Sequence, residues 1–279
     1  FTSIKLIMGP DLGLDKAELG LITTTLSLAY GVSKFCSGML GDRSNARYFM
    51  SFGLILTGIF NLFFGMSSSL LAFAFFWACN GIFQGWGWPS SARLMTHWFS
   101  REERGTWWGI WSTAHTVGAS IISLLGPIIG GYMGWRWAFY LPGGLCILAG
   151  LLLICLLRDT PESLGLPTIE SYSDKKMSSS EQKTKAYEHE TVRELSVKEI
   201  LLTYVLTNRF IWILALAYFF IYILREGVSE WTNMYLVEKF SFTPIKANSY
   251  LMLFEVGGFV GTLLTGWLSD FFFRGYRAR

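Results

Sequence analysis

Residues 137–157 read WAFYLPGGLCILAGLLLICLL, a stretch without one acidic or basic side chain, flanked by Arg136 and Arg158. At about 1.5 Å of rise per helical residue it reaches roughly 30 Å, the thickness of a bilayer's hydrocarbon core. Outward from it the same absence of charge recurs, from Tyr48 to Ala92, from Gly105 to Trp135 and from Phe210 to Leu224. Such runs predict spanning helices near Leu19–Leu40, Tyr48–Met66, Leu70–Trp98, Thr106–Met133, Trp137–Leu157, Phe210–Tyr235 and Ala247–Phe272. Phe1–Met8 reads as the tail of one more. The fold class is all-α and transmembrane.

Composition points the same way. The 279 residues are 52% hydrophobic, 17% aromatic and only 15% charged, too little charge to cover a water-facing surface of this size. Sixteen of the charged residues fall between Arg158 and Asn208, which reads as a solvated linker. The expected organisation is therefore a helical bundle over 1–157, an inter-bundle loop over 158–208 and the start of a second bundle over 209–279. Near the loop's end Ser196 and Glu199 have capping-box spacing, and Ile200, Leu201, Tyr204 and Val205 share a face, as in a short interfacial helix. The chain starts at Phe1 without Met and reads as part of a longer protein.

Sorted by the sides that the spans define, sixteen basic residues share the side of the loop. Lys5, Lys16, Arg136, Lys239 and Lys246 take the other side, and Lys34 and Arg225 stay inside spans. The positive-inside rule makes the loop side cytoplasmic. The formal net charge of +3 forms no aromatic-interleaved basic patch, so nucleic acid is not an expected partner. Cys36, Cys79, Cys146 and Cys155 sit in apolar runs without metal-ligand or disulfide spacing. No nucleotide loop, metal cluster or nucleophile triad is present, so no enzyme, cofactor or metal is expected. The many Trp and Phe residues read as lipid-facing or interfacial.

Two short strings echo each other. Gly38-Met39-Leu40-Gly41-Asp42 and Gly266-Trp267-Leu268-Ser269-Asp270 each close an apolar helix with Gly-x-x-x-Asp followed by arginine. Arg43 and Arg47 extend the first to Gly-x-x-x-Asp-Arg-x-x-x-Arg, read as a gating motif at a helix end. Parallel halves of this kind are the plan of the major facilitator transporters, in which substrate binds between bundles near the midplane.

Charge within a span costs at least about 2.5 kcal/mol, so each such residue is a functional candidate. Lys34 is the only charged residue from Leu19 to Gly41, with Tyr30 and Ser27 on its face at spacings of four and seven. The competing reading is a lysine snorkelling to the interface. Arg225 follows the uncharged run and shares a stripe with Tyr218, Tyr222 and Ser229. A guanidinium fork suits phosphate, since it donates two parallel hydrogen bonds and stays charged. The competing reading is an ion pair with Glu226 or Glu230. His115 lies in the uncharged stretch from Gly105 to Trp135, one turn beyond Trp111, and histidine titrates near the second phosphate ionisation, so it could share a substrate proton. Glu255 is another acid in a span, read equally as a coupling or a pairing group. Asn80 and Gln84 lie one turn apart among glycines and read as packing amides that bond across helices.

Several strings closely resemble the organophosphate:phosphate antiporters: Tyr30-Gly31-Val32-Ser33-Lys34-Phe35, Gly41-Asp42-Arg43-Ser44-Asn45-Ala46-Arg47-Tyr48-Phe49, Phe83-Gln84-Gly85-Trp86-Gly87, Ser100-Arg101-Glu102-Glu103-Arg104-Gly105 and Thr113-Ala114-His115. Arg158-Asp159-Thr160-Pro161 and Gly165-Leu166-Pro167 continue the match. The branch most resembled is that of hexose-phosphate transporters and sensors.

The resemblance implies a two-bundle major facilitator fold of which this chain lacks the start of the first helix and the last four. It further implies exchange of a sugar phosphate such as glucose 6-phosphate for inorganic phosphate by alternating access, in the inner membrane of a bacterium. Arg225 matches the family's seventh-helix phosphate arginine, Lys34 and His115 its cavity lysine and histidine, and Tyr222 its cavity tyrosine. The first-helix arginine would fall before Phe1, and Glu230 stands where relatives have aspartate. The alternatives are a receptor for external hexose phosphate that signals to a sensor kinase, and a glycerol 3-phosphate transporter.

Overall fold

The computed structural model describes residues 1–41, 44–100, 104–174 and 206–273. The interfacial helix expected around Ser196–Val205 lies outside them. Among the described residues the chain is a succession of helices: α1 (Lys5–Leu12), α2 (Lys16–Gly41), α3 (Ala46–Met66), α4 (Leu70–Gln84), α5 (Gly87–Trp98), α6 (Arg104–Met133), α7 (Trp137–Leu156), a 3-10 turn (Pro161–Leu164), α8 (Ile169–Asp174), α9 (Arg209–Phe240) and α10 (Pro244–Phe273). Four of them, α3, α6, α7 and α9, are long and apolar enough to cross a membrane.

Local chemistry sets the ends. Asp15 and Glu18 form a reciprocal capping box at the start of α2, each backbone N–H donating to the other's carboxylate at 2.8 Å. Asn45, Ser69 and Asn208 cap α3, α4 and α9 by accepting from Arg47, Ala72 and Phe210. Where the sequence reads as one helix over Leu70–Trp98, the structure has two, parted at Gly85–Trp86. The uninterrupted apolar run hid the break that Gly85, Gly87 and Pro89 impose.

Lipid offers no hydrophobic drive for one apolar helix to leave it for another, so close backbone approach holds the helices together. A Cβ on Gly58 of α3 would lie 2.6 Å from the Gly143 carbonyl of α7, and one on Gly150 would lie 2.5 Å from Ile55. At the end away from the 158–208 loop, an aromatic cluster fills the centre. Phe64 sits 4.9 Å from Phe73, 4.7 Å from Trp77 and 4.6 Å from Phe139, with Ile4, Met8 and Ile22 against it.

On the loop side Asp159, just beyond α7, fastens three elements. Its carboxylate accepts from the Ala46 N–H at 2.8 Å and from two guanidinium nitrogens of Arg93, each at 3.2 Å. The Trp98 indole donates to the carbonyls of Arg158 and Asp159.

Candidate functional site

Lys34 stands on α2 above the ring of Tyr30, its ammonium 4.5 Å from the centroid. The spacing of four that suggested a shared face thus yields a cation–π contact. The lysine opens on a cavity of about 440 Å³ that Gly38, Trp88, Pro89 and Ala92 also line. Among the described residues no carboxylate pairs with it. Trp88, which the sequence reading did not single out, is half-exposed and forms part of this wall. It is held by Trp108 at 5.4 Å and Trp111 at 5.9 Å, and Trp111 lies one turn before His115.

On α9 the rings of Tyr218 and Tyr222 lie 6.2 Å apart, both exposed. Arg225, Glu226 and His115 are exposed as well, and none has an ion pair among the described residues. The pairing considered for Arg225 with Glu226 or Glu230 is not formed. Glu255 is half-buried on α10 beside Val256, which with Thr116, Val117, Ser120, Ile121 and Met252 borders an apolar gap of about 420 Å³ between α6 and α10.

Glu230 turns to α1 instead. Lys5, sorted from sequence to the side opposite the 158–208 loop, is 1% exposed and forms an ion pair with Glu230. Thr2 donates to the same carboxylate, Asn233 donates to the Thr2 carbonyl at 2.8 Å, and the Trp231 ring lies 5.0 Å from the Lys5 ammonium. A buried ammonium needs a compensating charge, and this one gains it from a helix far along the chain. The apolar neighbours Ile4, Leu6, Ile7 and Met8 were the sequence signal for burial. Nearby, Lys16 and Glu238 pair in the open at 2.7 Å.

Of the gating-motif residues, Gly38 lines the Lys34 cavity and Arg47 donates to the Ile154 carbonyl at 2.6 Å, joining α3 to the last turn of α7. Asp42 and Arg43 lie outside the described residues. Gly266 and Asp270 fall within α10, and their surroundings lie outside the described part. Asn80 bonds across helices as expected, to the Thr57 carbonyl at 3.1 Å, whereas Gln84 is exposed.

Several known proteins share this sequence pattern. The "Probable hexose phosphate transport protein" of Chlamydia muridarum is 53% identical over 269 residues, 96% of this chain and 59% of that protein. The "Membrane sensor protein UhpC" of Escherichia coli is 44% identical over 264 residues, 95% of this chain and 58% of that protein. The "Glycerol-3-phosphate transporter" of Bacillus subtilis is 42% identical over 271 residues, 95% of this chain and 60% of that protein. The chain thus spans about three-fifths of the length of these relatives.

A bacterial homolog of the human lysosomal transporter Spinster, solved inward-facing and occupied, has the same fold. The TM-score is 0.71 at 20% identity, over 97% of this chain and 57% of that one. The sequence pattern of one transporter family matches residues 1–279 throughout, and the apolar spans agree with an integral membrane protein: the chain belongs to the Major Facilitator Superfamily.

Proposed function

We propose that the whole protein exchanges a sugar phosphate, of the hexose phosphate class, for inorganic phosphate by alternating access. The observation that carries this reading is Lys34, a cation on α2, a helix read from sequence as a span, that no described carboxylate neutralises, opening on a cavity that Trp88 lines and standing over Tyr30. Unpaired charge in a span is costly, and a phosphate group arriving with about −1.5 to −2 charges offsets it. Arg225 supplies the bidentate grip, together with the first-helix arginine of the resembled family, and Tyr218 and Tyr222 flank it. His115 shares the substrate proton.

Occupancy then sets the gate. An empty cationic cavity resists closure, since closing would desolvate unpaired charge, whereas a bound phosphate lets the two bundles, 1–157 and 209–279, rock about it. The basic residues of the 158–208 loop support a cytoplasmic setting for that side, and the resemblance to bacterial relatives supports an inner membrane around it. The test is uptake of labelled glucose 6-phosphate into phosphate-loaded proteoliposomes by the full-length protein and its Arg225→Ala variant. Uptake that needs internal phosphate and is lost in the variant supports exchange, and its absence in the unaltered protein refutes it.

The E. coli sensor among the relatives favours a second reading, a receptor for external hexose phosphate that signals to a sensor kinase. Specific binding without uptake would establish that reading. The B. subtilis relative supplies a competitor for the same assay: glycerol 3-phosphate outcompeting glucose 6-phosphate would change the substrate.

A further inference from the structure

We propose that Ser33 and Ser37 are positioning residues for Lys34. Their hydroxyls take up two carbonyls that the break between α4 and α5 leaves without helical donors, and this fixes the face that α2 turns to the substrate phosphate. The proposal rests on the phosphate-binding role given to Lys34 above.

The break creates the need. In a continuous helix the Gly85 carbonyl would accept from the residue four further on, but that residue is Pro89, which has no N–H. Ser37 supplies the donor, its hydroxyl 3.0 Å from the Gly85 oxygen. The Ile82 carbonyl would accept from Trp86, but that N–H bonds Phe83 at 3.2 Å in a tighter turn. Ser33 donates to Ile82 in its place. Both serines are buried, at 6% and 1% exposure, where hydrocarbon offers a bare carbonyl no water.

Packing alone would leave α2 free to slide. Gly81, Gly85 and Pro89 form a smooth seat along every fourth residue. A Cβ on Gly81 would lie 2.7 Å from the Leu26 carbonyl, one on Gly85 would lie 2.5 Å from the Ser33 hydroxyl and 3.2 Å from the Lys34 backbone nitrogen, and one on Gly41 would lie 3.1 Å from Pro89. Side chains this small set distance, whereas the two hydroxyl bonds set rotation and register. Lys34 and Gly38 are the next residues round the helix, about 100° on. With the serines held, both face the cavity wall of Trp88, Pro89 and Ala92. The Ser37 hydroxyl also lies 3.4 Å from the Lys34 carbonyl, so it has an acceptor in its own helix if the clamp opens.

The test uses the full-length protein. Ser33→Ala and Ser37→Ala each raise KM for glucose 6-phosphate about fivefold while kcat stays within about twofold. Pro89→Ala gives the Gly85 carbonyl a helical donor. On that background Ser37→Ala therefore changes KM less than about twofold, while Ser33→Ala keeps its effect. A general loss of packing would lower folded protein and kcat together, without that selectivity.

A second readout needs no substrate. The rate at which a charged methanethiosulfonate labels Lys34→Cys, with the other cysteines replaced, shifts at least about threefold when both serines become alanine. Labelling that does not shift overturns the proposal, whether or not KM moves, and so does a Ser37→Ala effect that survives Pro89→Ala. A shift in labelling together with no glucose 6-phosphate uptake by the unaltered protein would keep the clamp and remove the transport reading instead.

Discussion

Lys5 of α1 and Glu230 of α9 form a buried ion pair between helices 225 positions apart in sequence, with side-chain exposures of 1% and 21%. Removing one partner strands the other's charge, so Glu230→Gln is expected to destabilise the full-length protein by about 3 kcal/mol or more. Lys5→Met with Glu230→Met should recover much of that loss. Thermal unfolding in detergent reads both, and a single variant as stable as the parent would show that the pair contributes nothing.

The ring beneath Lys34 makes a graded prediction. Tyr30→Phe keeps the aromatic face and should leave substrate affinity within about twofold, whereas Tyr30→Leu removes about 0.5–1 kcal/mol of cation–π attraction. Isothermal titration with glucose 6-phosphate separates the two. Equal losses in both variants would assign the role to the hydroxyl.

Asp159 holds a helix N-terminus and a guanidinium together. Asp159→Asn is expected to cost about 1–3 kcal/mol, because Arg93 and the Ala46 N–H lose a charged acceptor. Faster proteolysis near residue 158 is the sensitive measure, and an unchanged digestion rate would count against the brace.

Gly58 faces the Gly143 carbonyl too closely for any side chain. Gly58→Ala should therefore cost about 1–3 kcal/mol through overpacking, and Gly58→Val more. Gly131, around which nothing lies within 4 Å of an added Cβ, is the control and should tolerate alanine. The amount of monodisperse protein after extraction ranks the three.

The spans were legible because charge must leave hydrocarbon. The limits of α6 and α7 fall within two residues of the ends of their uncharged runs, and α3 begins within two residues of the start of its own. The α4–α5 break was not, since hydropathy averages over Gly85 and Pro89 and is blind to a missing N–H. At the site, helical spacing placed Tyr30 under Lys34, because four residues make one turn. It could not place Trp88 beside them, since α5 comes to α2 only through the tertiary seat at Gly85. Lys5 was read only as lying towards the outer end of a first span's tail, and its pairing was not legible because its acid partner lies far along the chain.

The two ion pairs that join α1 and α2 to α9 differ in their medium. Lys16 and Glu238 are 61% and 48% exposed, so dissolved ions reach them, whereas Lys5 at 1% is shut away. Raising ionic strength from 0.1 M to 1 M shortens the Debye length from about 10 Å to about 3 Å and weakens the exposed pair alone. Salt therefore loosens the rim of this seam and spares its buried root, giving an experimenter a graded handle on one contact without altering a residue.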